Sequence, residues 1–151
     1  MNVLSFNFTK ISAEKKPRFK HSAINTNIEF VNIEKDEIEM LKDSEVIKVS
    51  FNFIVDYSES KEKGEKDKKE EKKEPSGKIV FEGTVLLSAE KKESKELLEA
   101  WKNKELADST RTALFNLILR KCSIKALSLE EELNLPYHLP LPNIKKTPKK
   151  E

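Results

Sequence analysis

Val46-Ile47-Lys48-Val49-Ser50-Phe51-Asn52-Phe53-Ile54-Val55-Asp56-Tyr57 is the stretch on which the fold turns. Ile47, Val49, Phe51, Phe53, Val55 and Tyr57 fall on one side of an extended chain, with Lys48, Ser50, Asn52 and Asp56 on the other. A strand with one buried face has this period of two. Three further stretches repeat it with less contrast. Leu4, Phe6 and Phe8 alternate with Ser5, Asn7 and Thr9 in a strand over 3–11, and Ile24, Thr26, Ile28 and Phe30 alternate with Asn25, Asn27 and Glu29 in a strand over 23–33. Residues 78–88 form the fourth, in which Ile79, Phe81, Val85 and Leu87 share a face while Val80 and Leu86 make the second face apolar too. Gly83, in the middle of this strand, predicts a bulge or the close approach of another backbone.

The connections differ in kind. Residues 12–21 are polar apart from Ala13 and Phe19 and contain Pro17, which cannot donate to a ladder, so this link is longer than a tight hairpin needs. Residues 34–37 form an acidic turn. Residues 58–77 carry seven lysines and seven acidic side chains with no aliphatic residue, too little apolar surface to offset the entropy of ordering. They are expected to be a mobile hairpin loop, with an interaction arm as the alternative.

Helical spacing follows the fourth strand. Ser94 is a candidate N-cap for a short helix over 95–104 that carries Leu97, Leu98 and Trp101. A longer helix from Asp108 or Ser109 to about Leu127 places Ala113, Leu114, Leu117, Ile118 and Cys122 on one stripe, widened by Phe115 and Leu119. Ser128 and Glu131 have capping-box spacing, which predicts a short third helix ended by Pro136. Pro136, Pro140 and Pro142 then impose extended backbone on a leucine-bearing segment, which must dock on its own domain or on a partner. Strands first and helices after predict an α+β fold: a four-stranded antiparallel sheet with a long first connection, then a short and a long helix packed on one face. Residues 1–144 are expected to form one domain and 145–151 a disordered basic tail.

Composition narrows the function. Basic and acidic side chains number 29 and 27, and such interleaved charge does not build the concentrated positive field that nucleic acid requires. Arg18, Arg111 and Arg120 are the only arginines, and glutamine is absent. Lys/Glu enrichment without glutamine is a thermophile-like lean. The lone Cys122 excludes an intramolecular disulfide and suits a reducing cytosol. The first residues lack a basic stretch leading into an apolar run, and no segment has the roughly 18 apolar residues of a spanning helix. A cytoplasmic protein without membrane insertion is expected.

Chemistry is sparse. His21 and His138 fall in loops and read as solvated imidazoles rather than metal ligands or an acid/base pair. Cys122 reads as a buried thiol. No phosphate cradle or nucleophile elbow occurs, so no catalytic residue, metal or cofactor is expected. Apolar surplus is the informative feature: Val46, Ile54, Val80 and Leu86 lie on the nominally wet face of the sheet. A second copy of the sheet would cover them, or else the C-terminal Leu/Pro segment within one chain.

The order of these elements resembles the SecB protein-export chaperone family. Phe6-Asn7-Phe8-Thr9-Lys10-Ile11-Ser12 is similar to that family's first strand, which runs into a Thr-Lys-Asp-Ile-Ser stretch, and Glu45-Val46-Ile47-Lys48-Val49-Ser50-Phe51 resembles its Tyr-Glu-Val third strand. Phe81-Glu82-Gly83-Thr84-Val85 falls where the family has Gly-Gly-Ile-Phe, and Leu133-Asn134-Leu135-Pro136 is similar to its Leu-Asn-Leu-Ala-Pro segment. The chain departs in having one glycine of the pair and a slight basic excess, so docking to the SecA motor through an acidic patch is not implied. The resemblance does imply a homotetramer, a dimer of dimers, that holds unfolded polypeptides in apolar grooves without ATP. Phe19, Trp101, Phe115 and Leu119 would then line the groove. A dedicated adaptor that binds one folded partner through the Leu/Pro segment is the rival reading.

Overall fold

A computed structural model describes residues 1–20, 23–38, 44–59 and 75–146. The four alternating stretches form β1 (Asn2–Lys15), β2 (Ala23–Lys35), β3 (Ser44–Ser58) and β4 (Gly77–Glu90), and the helices are α1 (Lys91–Lys102) and α2 (Asp108–Glu132). The strands make one antiparallel sheet in the order β1-β4-β3-β2, and both helices pack on one face of it. The expected α+β architecture is therefore the observed one. Most of the charged 58–77 loop and of the basic tail, as well as His21, lie outside the described residues.

Strand order explains the length of the first connection. Lys15, Gly77, Tyr57 and Ile24 are register neighbours at one end of the sheet, so the chain leaving β1 must cross its full width to enter β2. Three interstrand gaps span roughly 14 Å, beyond a two-residue turn and within the reach of seven linking residues. The crossing is pinned where it starts. The Lys16 amide donates to the Ser76 carbonyl at 2.9 Å, and the Ser76 hydroxyl donates to the Lys20 carbonyl at 2.5 Å.

All four strands outrun their expected limits, and in β1 and β2 bulges reset the alternation. An extra residue at Thr9 moves Ile11 and Ala13 onto the face already occupied by Phe6 and Phe8, and one at Val31 brings Ile33 inside. That inner face is the core. Ile47, Val49, Phe51, Phe53, Val55, Tyr57, Ile79, Phe81 and Val85 are at most 1% exposed, each contributing about 1.5–3 kcal/mol of burial. Gly83 shapes the aromatic layer as its position suggested. A Cβ there would lie 2.5 Å from the Asn7 carbonyl oxygen and 2.6 Å from the Phe51 ring. With no side chain on β4 at this point, the Phe51 and Phe6 rings meet across it at 5.2 Å, and Phe53 stacks on Phe81 at 5.7 Å.

Two helix boundaries depart from expectation. Helix α1 starts at Lys91, with Glu90 as N-cap and the Glu93 carboxylate accepting the Glu90 amide at 3.4 Å. Ser94 lies in the helix and is wholly buried. No third helix opens at Ser128: α2 runs unbroken to Glu132, since nothing between 124 and 131 breaks a helix and an interior serine costs little. Its buried stripe is Leu114, Ile118, Cys122, Ala126 and Glu130, a strict four-residue repeat, while Ala113 is exposed. The four-residue stride drifts around the axis, which sends the far end of the stripe to a different part of the sheet than the near end.

Candidate polypeptide-binding groove

Among the described residues β2 pairs only with β3, so its outer edge carries main-chain N–H and C=O groups without a ladder partner there. Helix α2 lies over β2 and β3, and its first half faces this edge. Phe115 stacks on Phe30 with ring centroids 4.6 Å apart and planes 19° from parallel. Leu119 follows one turn later. Between helix and strand runs an open groove of about 410 Å³ lined by Thr26, Asn27, Ile28, Phe115, Asn116 and Leu119. Phe115 and Leu119 give it an apolar wall with Asn116 between them, and Thr26, Asn27 and Ile28 of the edge strand form its floor.

Of the four residues expected to hold a client, Phe115 and Leu119 share this groove. Phe19 sits at the end of the sheet where β2 begins, its ring 5.9 Å from that of Tyr57 and 5.3 Å from the Lys15 ammonium. A Cβ on Gly77 would lie 3.1 Å from that ring, so Phe19 is a half-buried piece of core that caps the sheet end. Trp101, in the last turn of α1, is half-buried against the main hydrophobic cluster and does not line the groove.

The residues expected at an oligomer interface divide similarly. Ile54 and Val80 are direct register partners on the outer face, and Leu86 stands opposite Lys48; all three are half-buried. Val46 is only 1% exposed within the single chain, so the expectation that it offers surface to a second copy is corrected. Exposed apolar surface concentrates elsewhere: on β1 at Val3, Leu4 and Ile11, and in the C-terminal segment at Leu139, Leu141 and Ile144. A salt bridge of 2.7 Å between Lys48 and Glu34 crosses the outer face. The hydrogen bond and charge of Lys48 hold the Glu34 carboxyl below the usual range.

One polar cluster contradicts the reading of His138 as solvated. The His138 and Glu130 side chains are both wholly buried, with His138 Nδ1 2.6 Å from Glu130 Oε1. The His138 amide donates to Glu130 Oε2 at 2.8 Å, and the Tyr57 hydroxyl also donates to that oxygen. His138 Nε2 lies 3.2 Å from the Ser123 Oγ. Serine, imidazole and carboxylate thus stand in the order of a hydrolase triad, yet Ser123 is 5% exposed and its partners are sealed. The cluster ties strand, helix and tail together. Burial, with the Glu130 carboxylate, pushes the Tyr57 hydroxyl far above its ordinary range, so it stays a donor. Burial also pushes Cys122 up to about 12, as befits an inert thiol. The sequence did carry a signal: Glu130 continues the 114-118-122-126 stripe, and a carboxylate on an apolar stripe requires a buried donor.

Among the described residues no cluster of three or more His, Cys, Asp or Glu side chains could hold a metal ion, and no helix is long and apolar enough to cross a membrane. No family model matches the sequence, and no curated protein matches it. Among solved structures, the chain is similar to a SecB-like chaperone of Mycobacterium tuberculosis in complex with a ChAD peptide from an antitoxin. Identity is 15%, the alignment covers 97% of this chain and 91% of that one, and the TM-score is 0.46.

Proposed function

We propose that this protein is a non-catalytic, ATP-independent holdase that binds non-native polypeptides, with the α2/β2 groove as its client site. The observation that carries the reading is the groove itself: Phe115 and Leu119 stand beside a strand edge whose main-chain groups have no ladder partner among the described residues. An extended segment entering there pairs its backbone with β2 and buries alternate side chains against α2. Backbone pairing ignores side-chain identity and apolar burial is non-directional, so a broad range of unfolded clients follows. Phe19 and Trp101 belong to the proposal as flanking surface rather than groove wall. Ile54, Val80 and Leu86, together with the exposed β1 edge, are the surfaces proposed for assembly into a dimer of dimers. A cytosolic setting, and a part in protein export, belong to the same reading.

The test is light scattering from a denatured model client, without nucleotide. Substoichiometric suppression by the wild type and its loss in Leu119→Ser support the reading; identical scattering with and without the protein sinks it. The rival adaptor reading rests on the exposed arm, where Leu139, Leu141 and Ile144 are 37%, 49% and 102% exposed. Truncation after His138 removes that arm while leaving the buried cluster, and loss of one discrete partner in a pull-down would favour the adaptor.

A further inference from the structure

Residues 133–144 contain no Asp, Glu, Lys or Arg, the longest such run in a chain in which 37% of residues are charged. Its first half belongs to the core: Leu135 packs against Gly77, and the His138 ring lies 6.1 Å from that of Phe53. Its second half is exposed at Leu139, Leu141 and Ile144. We propose that this arm, residues 139–144, is a built-in ligand for the α2/β2 groove of a second copy of the chain, adding a strand to β2 and leaving when a client enters. The inference rests on the groove being the polypeptide site proposed above.

The backbone of the arm suits one-sided pairing. Leu139 and Leu141 each precede a proline, which holds both in extended backbone before any partner arrives and lowers the entropy lost on docking. In an extended chain the N–H and C=O groups of successive residues point to opposite edges. Pro140 and Pro142 are in phase, so both missing donors fall on one edge, and the amides of Leu139, Leu141 and Asn143 are complete on the other. The two leucine side chains share one face of such a strand. It can join a sheet along its intact edge, while its proline edge stops a further strand from adding.

The receiving edge is unprotected. From Ala23 to Phe30 β2 has no proline, lysine or bulge, the devices that blunt an exposed edge, and its register with β3 shifts only past Phe30. The groove beside it, lined by Thr26, Asn27, Ile28, Phe115, Asn116 and Leu119, carries no charged side chain, as the arm carries none. Phe115 and Leu119 offer the arm leucines apolar contact while the backbone pairs with β2.

Register assigns the arm to another copy. Leu135 lies at Gly77, which pairs with Tyr57 and so stands level with Ile24, whereas His138 lies at Phe53, level with Ile28. The segment therefore runs in the same direction as β2 and has already passed Thr26 where the arm begins. An arm held extended by Pro140 and Pro142 does not double back to Thr26–Ile28 of its own chain. Within the single chain the groove is accordingly open while the arm leucines are exposed.

Intermolecular paramagnetic broadening in NMR tests this on the full chain. A nitroxide is attached through Ile144→Cys; Cys122 is buried, its thiol pushed up to about 12, and stays unlabelled. The nitroxide-bearing protein is mixed with isotope-enriched wild type. Loss of the Thr26, Asn27 and Ile28 amide signals in the enriched chain is expected, and a denatured client should restore them. Added to the nitroxide-bearing chain, Pro142→Ala returns a donor to the far edge and should leave the broadening intact, whereas Asn143→Pro removes one from the pairing edge and should abolish it. Both positions are exposed, so neither change threatens the fold. No loss in the mixture overturns the proposal, as does loss only when nitroxide and isotope share one chain, loss centred on β1, or equal broadening with Asn143→Pro. Client scattering separates this inference from the holdase reading. Broadening without suppression of scattering would sink the holdase and leave the pairing of arm and groove standing; suppression without broadening would do the reverse.

Discussion

The two ends of α2 treat the inner face of the sheet in opposite ways. Around Glu130 the helix, residues 133–138 and β3 close on a carboxylate that receives three donors, with no side-chain exposure at either Glu130 or His138. Around Phe115 the same helix lies beside an edge strand and leaves an open apolar groove. One end spends polar groups to seal a junction, and the other leaves apolar groups uncovered. Sealing with a buried charge sets geometry more than it adds stability, because desolvation offsets much of the attraction. Leaving leucine and phenylalanine at an unpaired edge costs an aggregation risk, which a monomeric, partnerless protein would be expected to blunt. Under the proposed function, one end is structural and the other is the client site.

The largest effect should come from breaking the sealed end. Glu130→Ala strands two His138 donors and removes one acceptor of the Tyr57 hydroxyl, so about 3–5 kcal/mol of stability should disappear in urea melts. Next comes Gly83→Ala, which sets a methyl group within 2.6 Å of the Phe51 ring that underlies Phe30; a loss of about 3 kcal/mol is expected in the same assay. Leu119→Ser sharpens the contrast from the other side. Its stability should fall by only about 1 kcal/mol while suppression of client aggregation is lost, and a large loss of stability there would assign the groove to the core. The smallest effect concerns the outer face. Lys48→Ala should raise the Glu34 pKa in an NMR titration, because the Lys48 hydrogen bond and charge are what depress it. That contribution is present above the unfolded carboxylate value and fades as pH falls through the lowered folded one.

Much of the sheet was legible because alternation is a local property. Each inward residue of β3 declares its face through its immediate neighbours. The groove was half legible: Phe115 and Leu119 stood out on a widened helical stripe, but nothing local distinguished them from Phe19, which packs at the far end of the sheet. Trp101 lies outside the groove and was ambiguous for the same reason, since a bulky apolar side chain reads alike as wall or core until the opposing surface is known. His138 was hidden in a proline-rich stretch that looks solvent-facing. Its burial depends on a carboxylate eight residues earlier and a tyrosine brought from β3.

By itself the sequence determined the number and order of strands, the inward face of each regular run, and the need for a long first crossing. Those follow from side-chain period and turn chemistry, which act over a few residues. Tertiary structure decided the bulge that draws Ile33 inside, the continuity of α2 through Ser128, and which edge of the sheet stays open beside it. These depend on groups distant in sequence competing for the same space and the same hydrogen bonds, a contest that only the packed chain resolves.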